Sequence, residues 1–202
     1  MHESMTDVKG YLSWGAHIGI RSKRRDLAII YSKTPAAAAT VFTRNVVQAE
    51  PVKLSRRHME NGRIQAIVVN SGNANACTGE QGRRDAQMMA DVTAEELGIL
   101  PEDVFVASTG LIGKPLPSQK VSEGIRTVAS KLSGRKIAGK LTSNAILTTD
   151  TFAKEGYTSF TLDGKKVRMG GIAKGSGMIH PDMGTMLAFI ICDMAIDRKS
   201  VV

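Results

Sequence analysis

Apolar residues along this chain fall into short runs, each closed by a glycine- or asparagine-marked turn. Residues 27–31 are almost wholly apolar and predict a buried strand; a second strand, 38–42, is predicted after Pro35. Residues 50–61 predict a helix, with Pro51 in the first turn and Gly62 as its stop. Residues 64–69 are apolar and β-branched, a third strand. It runs into Asn70 to Gly79, NSGNANACTG, whose three Asn and two Gly predict a tightly turned polar loop. The amides of that loop either donate to a ligand or brace neighbouring loops. Ala86, Met89, Ala90 and Leu97 recur at helical spacing and Gly98 ends the pattern, so the methionines read as core. Residues 104–107 predict a strand that delivers Ser108, Thr109 and Gly110. A helix opening at Pro117 and Ser118 places Val121, Ile125, Val128 and Leu132 on one face, and Gly134 closes it. Another is predicted over 136–147, with Ile137, Leu141 and Ala145 apolar. Strands 158–162 and 165–169 flank Asp163-Gly164, a strong hairpin signal. Alternating strands and helices, with strands gathered late, predict a layered α/β or α+β fold.

Composition narrows the function classes. A chain of 202 residues holds one large domain or two small ones, and 42% apolar residues suffice for a core. It contains no eighteen-residue apolar run, and its first residues lack the basic-then-apolar order of a secretory signal. Cys77 and Cys192 show no metal spacing; they fit a reducing compartment and read as buried, inert thiols. The net charge of +8 raises the question of nucleic acid. The basic residues come in short clusters at 21–25, 56–58 and 83–84, and aromatics are only 4%, too few for stacking platforms. These clusters read as solvated faces. Their field also suits small carboxylates or a phosphate-bearing cofactor.

Three stretches carry candidate chemistry. Thr109 and Gly110, at a strand end, supply a hydroxyl and a backbone N–H together, the equipment of an oxyanion hole or simply of a turn. Thr148-Thr149-Asp150-Thr151 sets three hydroxyls and a carboxylate side by side, as a turn network or a small-ligand site. Residues 170–189, GGIAKGSGMIHPDMGTMLAF, place Lys174 among glycines and then Gly184-Thr185 before an apolar run. A threonine there either begins a buried strand or is a nucleophile. If its own amine is freed, that amine can act as its general base.

The motifs DLAII, ATVFT, NSGNANACTG, ASTGLIG, TTDT and GGIAKGSGM occur in one order across nearly the whole chain. In these the sequence resembles the ornithine acetyltransferase family, the ArgJ family of bifunctional glutamate N-acetyltransferases. The resemblance implies an αββα sandwich with a self-processing N-terminal-threonine site. It implies cleavage between Gly184 and Thr185, which divides the chain into an α portion, 1–184, and the start of a β portion, 185–202. Thr185 is then the catalytic nucleophile. Thr109 and Gly110 match the oxyanion pair, and Thr148, Lys174 and Thr185 match substrate-binding positions. His180-Pro181-Asp182 receives no role. The implied reaction is ping-pong transfer of acetyl from N-acetylornithine to glutamate in cytoplasmic arginine biosynthesis. No metal or organic cofactor is implied; acetyl-CoA is a co-substrate in the bifunctional members. The implied partners are these small molecules, the complementary β chain and further copies in a heterotetramer, with neither nucleic acid nor membrane.

Two departures stand out. Gly184 occupies a position where many members have Ala. Family precursors are about twice as long, so this chain alone is expected to be a poor acetyltransferase that self-associates through an unpaired strand edge and exposed apolar surface at 186–191. An inactive subunit needing its partner, or an amidase or aminopeptidase of the same self-processing fold, are the alternative readings.

Overall fold

Two sheets stack face to face, and helices cover the outer face of the first. The computed structural model describes residues 3–175 and 186–196. The first sheet contains β1 (Tyr11–Ala16), β2 (Leu27–Ala37), β3 (Arg63–Asn73) and β4 (Val104–Leu111), in that spatial order. β1–β2 and β2–β3 are antiparallel and β3–β4 is parallel. The second is an antiparallel meander of β5 (Lys154–Leu162), β6 (Lys165–Lys174) and β7 (Leu187–Cys192). The helices are α1 (Glu50–His58), α2 (Gly79–Leu97), α3 (Ser118–Ala129) and α4 (Lys136–Ala145).

The continuous apolar runs of β2, β3 and β4 reflect burial on both faces. Leu27, Ile29, Ala66, Val68, Val104 and Val106 point to the helix side, where they meet Leu54 of α1, Met89 of α2 and Ile125 of α3. The alternate residues Ala28, Ile30, Val69 and Ala107 point the other way, against Ile172 of β6 and Phe189 and Ile191 of β7. Met5 and Val8, from a short 3-10 turn capped by Ser4, plug the same inter-sheet core. A parallel pair needs a long crossover, and α2 lies within the one joining β3 to β4. α4 lies on the inter-sheet side beside β1. A Cβ on Gly15 would fall 2.3 Å from the Leu141 carbonyl oxygen, so only glycine allows that approach.

The described residues supply a helix layer and two sheet layers of the expected sandwich. On the outer face of the second sheet Phe160, Leu162 and Ile190 are exposed, and among the described residues no helix covers them.

Several expectations need correction. Residues 38–42 form no strand; β2 itself runs through Pro35 to Ala37, with a register shift against β3 between Tyr31 and Ala36. A proline is tolerated where a bulge interrupts the ladder. Phe42 instead stacks on Phe105, ring centroids 6.0 Å apart, with the Arg56 guanidinium 4.7 Å above its ring. β3 extends to Asn73, so the first four residues expected as loop are strand. α3 ends at Ala129, and the chain beyond it joins β1 through a Ser13–Ser133 bridge. β7 holds six register positions against β6, and among the described residues its other edge is unpaired, with Ile190 exposed, as expected. His58 is not a solvated basic residue; it is buried, with Nδ1 2.8 Å from the Val104 carbonyl oxygen. Cys77 is exposed and Cys192 half-buried, so neither is the buried thiol expected. Among the described residues, no helix is long and apolar enough to cross a membrane.

Candidate active site

A cleft of about 2640 Å³ opens between the sheets, and Thr109, Gly110, Thr148, Lys174 and Met186 all line it. They come from four places in the chain. β4 brings Thr109: with Ala107 facing the second sheet, the two-residue period turns Thr109 the same way, and it is buried. Gly110 follows at φ +136°, opposite Gly72 in the β3–β4 register. A Cβ there would stand 2.3 Å from the Gly72 carbonyl carbon and 2.5 Å from the Asn73 nitrogen. Two backbones approach too closely at this point for any other residue.

The NSGNANACTG segment braces rather than binds. Asn70 Nδ2 donates to the Asn73 carbonyl and its Oδ1 accepts from Ser108 Oγ at 2.6 Å. Asn73 Nδ2 reaches the carbonyls of Lys114 and Pro115, and its Oδ1 accepts from Asn75 N. Asn75 Nδ2 donates to the Gly82 carbonyl, and Ser71 Oγ donates to that of Ala145. All four side chains are buried: Asn70 and Asn73 hold the end of β4 and the loop after it, Ser71 holds the end of α4 and Asn75 the first turn of α2.

Thr148 follows α4 and is held by a residue read from sequence as solvated. Arg21 Nη1 donates to the Leu147 carbonyl at 2.5 Å and Nη2 to the Thr148 carbonyl at 3.2 Å. Its stem crosses Gly72, where a Cβ would meet Arg21 Cγ at 2.6 Å. Buried Asp26 fixes the loop carrying Arg21, accepting from the backbone N–H groups of Ile18 and Arg21. Lys23, Arg24 and Arg25 are exposed, as expected.

Lys174 ends β6 opposite Leu187 and is only 2% exposed. Burial pulls its ammonium below the usual lysine range; the Asp150 charge raises it and the Lys154 charge lowers it further. Asp150 Oδ1 accepts from Lys154 Nζ at 2.6 Å and from the Gly175 N–H at 2.8 Å. Burial pushes the Asp150 carboxyl up, but those two hydrogen bonds and the charges of Lys154 and Lys174 outweigh it, leaving it below the ordinary value. Of the two partners of Asp150 in the TTDT cluster, Lys154 is near in the chain and Gly175 is distant. Gly184, Thr185 and His180-Pro181-Asp182 lie outside the described residues. Met186, bonded to Thr185, lines the cleft.

Asp193 is similarly depressed. Burial raises its carboxyl, while the Arg168 N–H and guanidinium, at 2.7 and 3.0 Å, and the Lys9 N–H more than offset this. A carboxyl with a lowered folded-state pKa stabilises the fold above its unfolded pKa of about 3.9, and that contribution vanishes as pH falls through the folded value. Urea midpoints are therefore expected to hold steady from neutral to about pH 5 and to drop below about pH 4. Asp193→Asn should flatten the drop; an unchanged acid limb in that variant would contradict the assignment.

The model of the ArgJ family matches residues 13–202. The chain is 50% identical over 200 residues to "Arginine biosynthesis bifunctional protein ArgJ" of Symbiobacterium thermophilum, covering 98% of this chain and 49% of that protein. It is 45% identical over 198 residues to the Bacillus subtilis protein of the same name, covering 98% of this chain and 48% of that one. The chain thus spans about half the length of the curated relatives it matches. Among solved structures, the Bacillus halodurans arginine biosynthesis bifunctional protein argJ superposes with a TM-score of 0.85 at 43% identity, over 92% of this chain and 95% of that one. Ornithine acetyltransferase of Mycobacterium tuberculosis, complexed with ornithine, gives 0.80 at 35% identity, over 89% and 95%. With the family match running from β1 to the last residue and including Thr109, Gly110, Thr148, Lys174 and Met186 of the cleft, this chain belongs to the ArgJ family.

Proposed function

We propose that this chain is the α portion (1–184) and the beginning of the β portion (185–202) of a self-processing N-acyltransferase. Its substrates are N-acetylornithine and glutamate, and acetyl-CoA serves as a further donor. The observation that carries this reading is that Thr109, Gly110, Thr148, Lys174 and Met186, from four places in the chain, all line one extended inter-sheet cleft. The names of the relatives support the pathway, and the ornithine bound in the M. tuberculosis structure supports the substrate class. The B. halodurans chain is covered to 95% by a chain half as long as the curated relatives, which supports an enzyme working as two chains.

In processing, Thr185 Oγ attacks the Gly184 carbonyl carbon. The C–N bond breaks, the nitrogen takes the hydroxyl proton, and Gly184 is left as an ester on Oγ. Water hydrolyses the ester and frees both the Thr185 hydroxyl and its α-amine. In transfer, that amine accepts the Oγ proton as oxygen attacks the acetyl carbonyl of N-acetylornithine. An unperturbed α-amine has a pKa of about 7.7–8.0, well placed for a general base. The Thr109 hydroxyl and Gly110 N–H receive the oxyanion, and the proton passes to the departing ornithine nitrogen. The glutamate α-amine then attacks acetyl-Thr185 and reverses the sequence. Lys174 holds the substrate carboxylate and the Thr148 hydroxyl orients it.

The test is incubation of the processed two-chain protein with N-acetylornithine, with and without glutamate. The expected result is an acetylated Thr185 peptide without glutamate and acetylglutamate with it. Acetate release indifferent to glutamate would instead identify an amidase. Thr109→Ala should lower kcat by about 10²–10³ with little change in urea midpoint, as loss of one oxyanion donor does.

A further inference from the structure

We propose that Asp150 is a positioning residue for both reactions: by anchoring the Gly175 backbone it places the adjacent Lys174 in the cleft and fixes where the segment leading to the scissile bond begins. The proposal rests on the reading of Thr185 and Lys174 given above.

Asp150 is an enclosed carboxylate, its side chain 2% exposed. One oxygen does two jobs. Oδ1 accepts from Lys154 at the start of β5 and from the backbone of Gly175 at the end of β6. The turn after α4 is thereby tied to the strand end from which residues 176–184 depart. Oδ2 is buried and accepts no hydrogen bond among the described residues. Arg21 holds the same turn from its other side through two carbonyls. Asp150 thus projects from a segment clamped two and three residues earlier in the chain.

Charge gives the second half of the argument. A buried ammonium persists only if a nearby anion offsets its lost hydration. Among the groups acting on Lys174 are Asp150 from the turn and Lys154 from β5, with opposite signs. β4 and β7, which flank the cleft, carry no charged side chain. The charge that Lys174 offers a substrate carboxylate is thus raised by Asp150 and lowered by Lys154.

Their variants should behave oppositely. Transfer requires a neutral Thr185 amine and a charged Lys174, so Lys174 sets the alkaline limb of the pH profile. Asp150→Asn keeps an acceptor for the Gly175 N–H but removes the charge. It is expected to process at near the wild-type rate, to raise KM for N-acetylornithine, and to move the alkaline limb down by about one pH unit, the effect of a neighbouring charge. Lys154→Met, on a side chain 40% exposed, removes the opposing cation and should move the same limb up. Asp150→Ala also removes the acceptor and should slow processing by about tenfold or more, as loss of a hydrogen bond to a charged group does. The experiment is made on the full-length gene product, with processing followed by intact mass and transfer by acetylglutamate formation across pH. Alkaline limbs that stay put, or move together, in Asp150→Asn and Lys154→Met would overturn the proposal, as would wild-type processing by Asp150→Ala. An uncut wild-type protein would instead overturn the reading of Thr185.

Discussion

Thr185→Ala is expected to leave the full-length protein as one uncut chain with no detectable acetyl transfer. Both outcomes follow from one missing oxygen. Alanine has no hydroxyl to attack the Gly184 carbonyl, so the ester that precedes chain scission never forms. Without scission the residue at 185 keeps its nitrogen in a peptide bond, and a peptide nitrogen cannot serve as a base. Loss of a covalent nucleophile typically lowers kcat by on the order of 10⁶, and here the base disappears with it. Thr185→Ser retains the hydroxyl and should cut and turn over at a reduced rate. Intact mass, with circular dichroism to show retained fold, reads the result. Two fragments from the alanine variant would place the nucleophile elsewhere.

Gly110→Ala is expected to be strongly destabilising. Its N–H survives, so the loss would not come from a missing oxyanion donor. It comes from φ +136° and from a methyl placed 2.3 Å from backbone that has nowhere to go. Strain of this kind together with overpacking amounts to roughly 3 kcal/mol or more. For a domain of this size that lowers Tm by about 6–12 °C. Gly113 is the control: its φ is +76° but nothing lies within 4 Å of a Cβ there, so Gly113→Ala should cost only about 1 kcal/mol. Equal losses at the two positions would mean that the β3–β4 approach is not as tight as described.

Legibility in the sequence followed the range of the interaction. The helices α2 and α4, the Asp163-Gly164 hairpin and the core strands 64–69 and 104–107 rest on periodicity and turn chemistry, and these were readable. β1 was not, because its inward positions include Ser13 and Gly15, selected for closeness to α4 rather than for hydrophobicity. The 38–42 strand failed because alanine, threonine and valine mimic a strand where the chain needs only Phe42 to reach Phe105. At the site, Thr109, Gly110, Thr148 and Lys174 were singled out through motifs, and all four line the cleft. Arg21 and Asp150 were not assigned, since nothing local distinguishes an arginine that spans 126 residues to a carbonyl from its exposed neighbours.

The proposed cut falls in the connection between β6 and β7, two strands that pair over six positions and share one sheet. Scission there turns a hairpin into a subunit boundary without moving either strand. Phe189 and Ile191 stay seated in the inter-sheet core, so separating the products would mean unzipping a ladder and tearing open a folded interior. The two chains would be born assembled, their stoichiometry and register inherited from a single folding event. Halves synthesised apart would have to find that arrangement by collision, and the second would begin with a methionine in front of the threonine whose bare amine the chemistry requires.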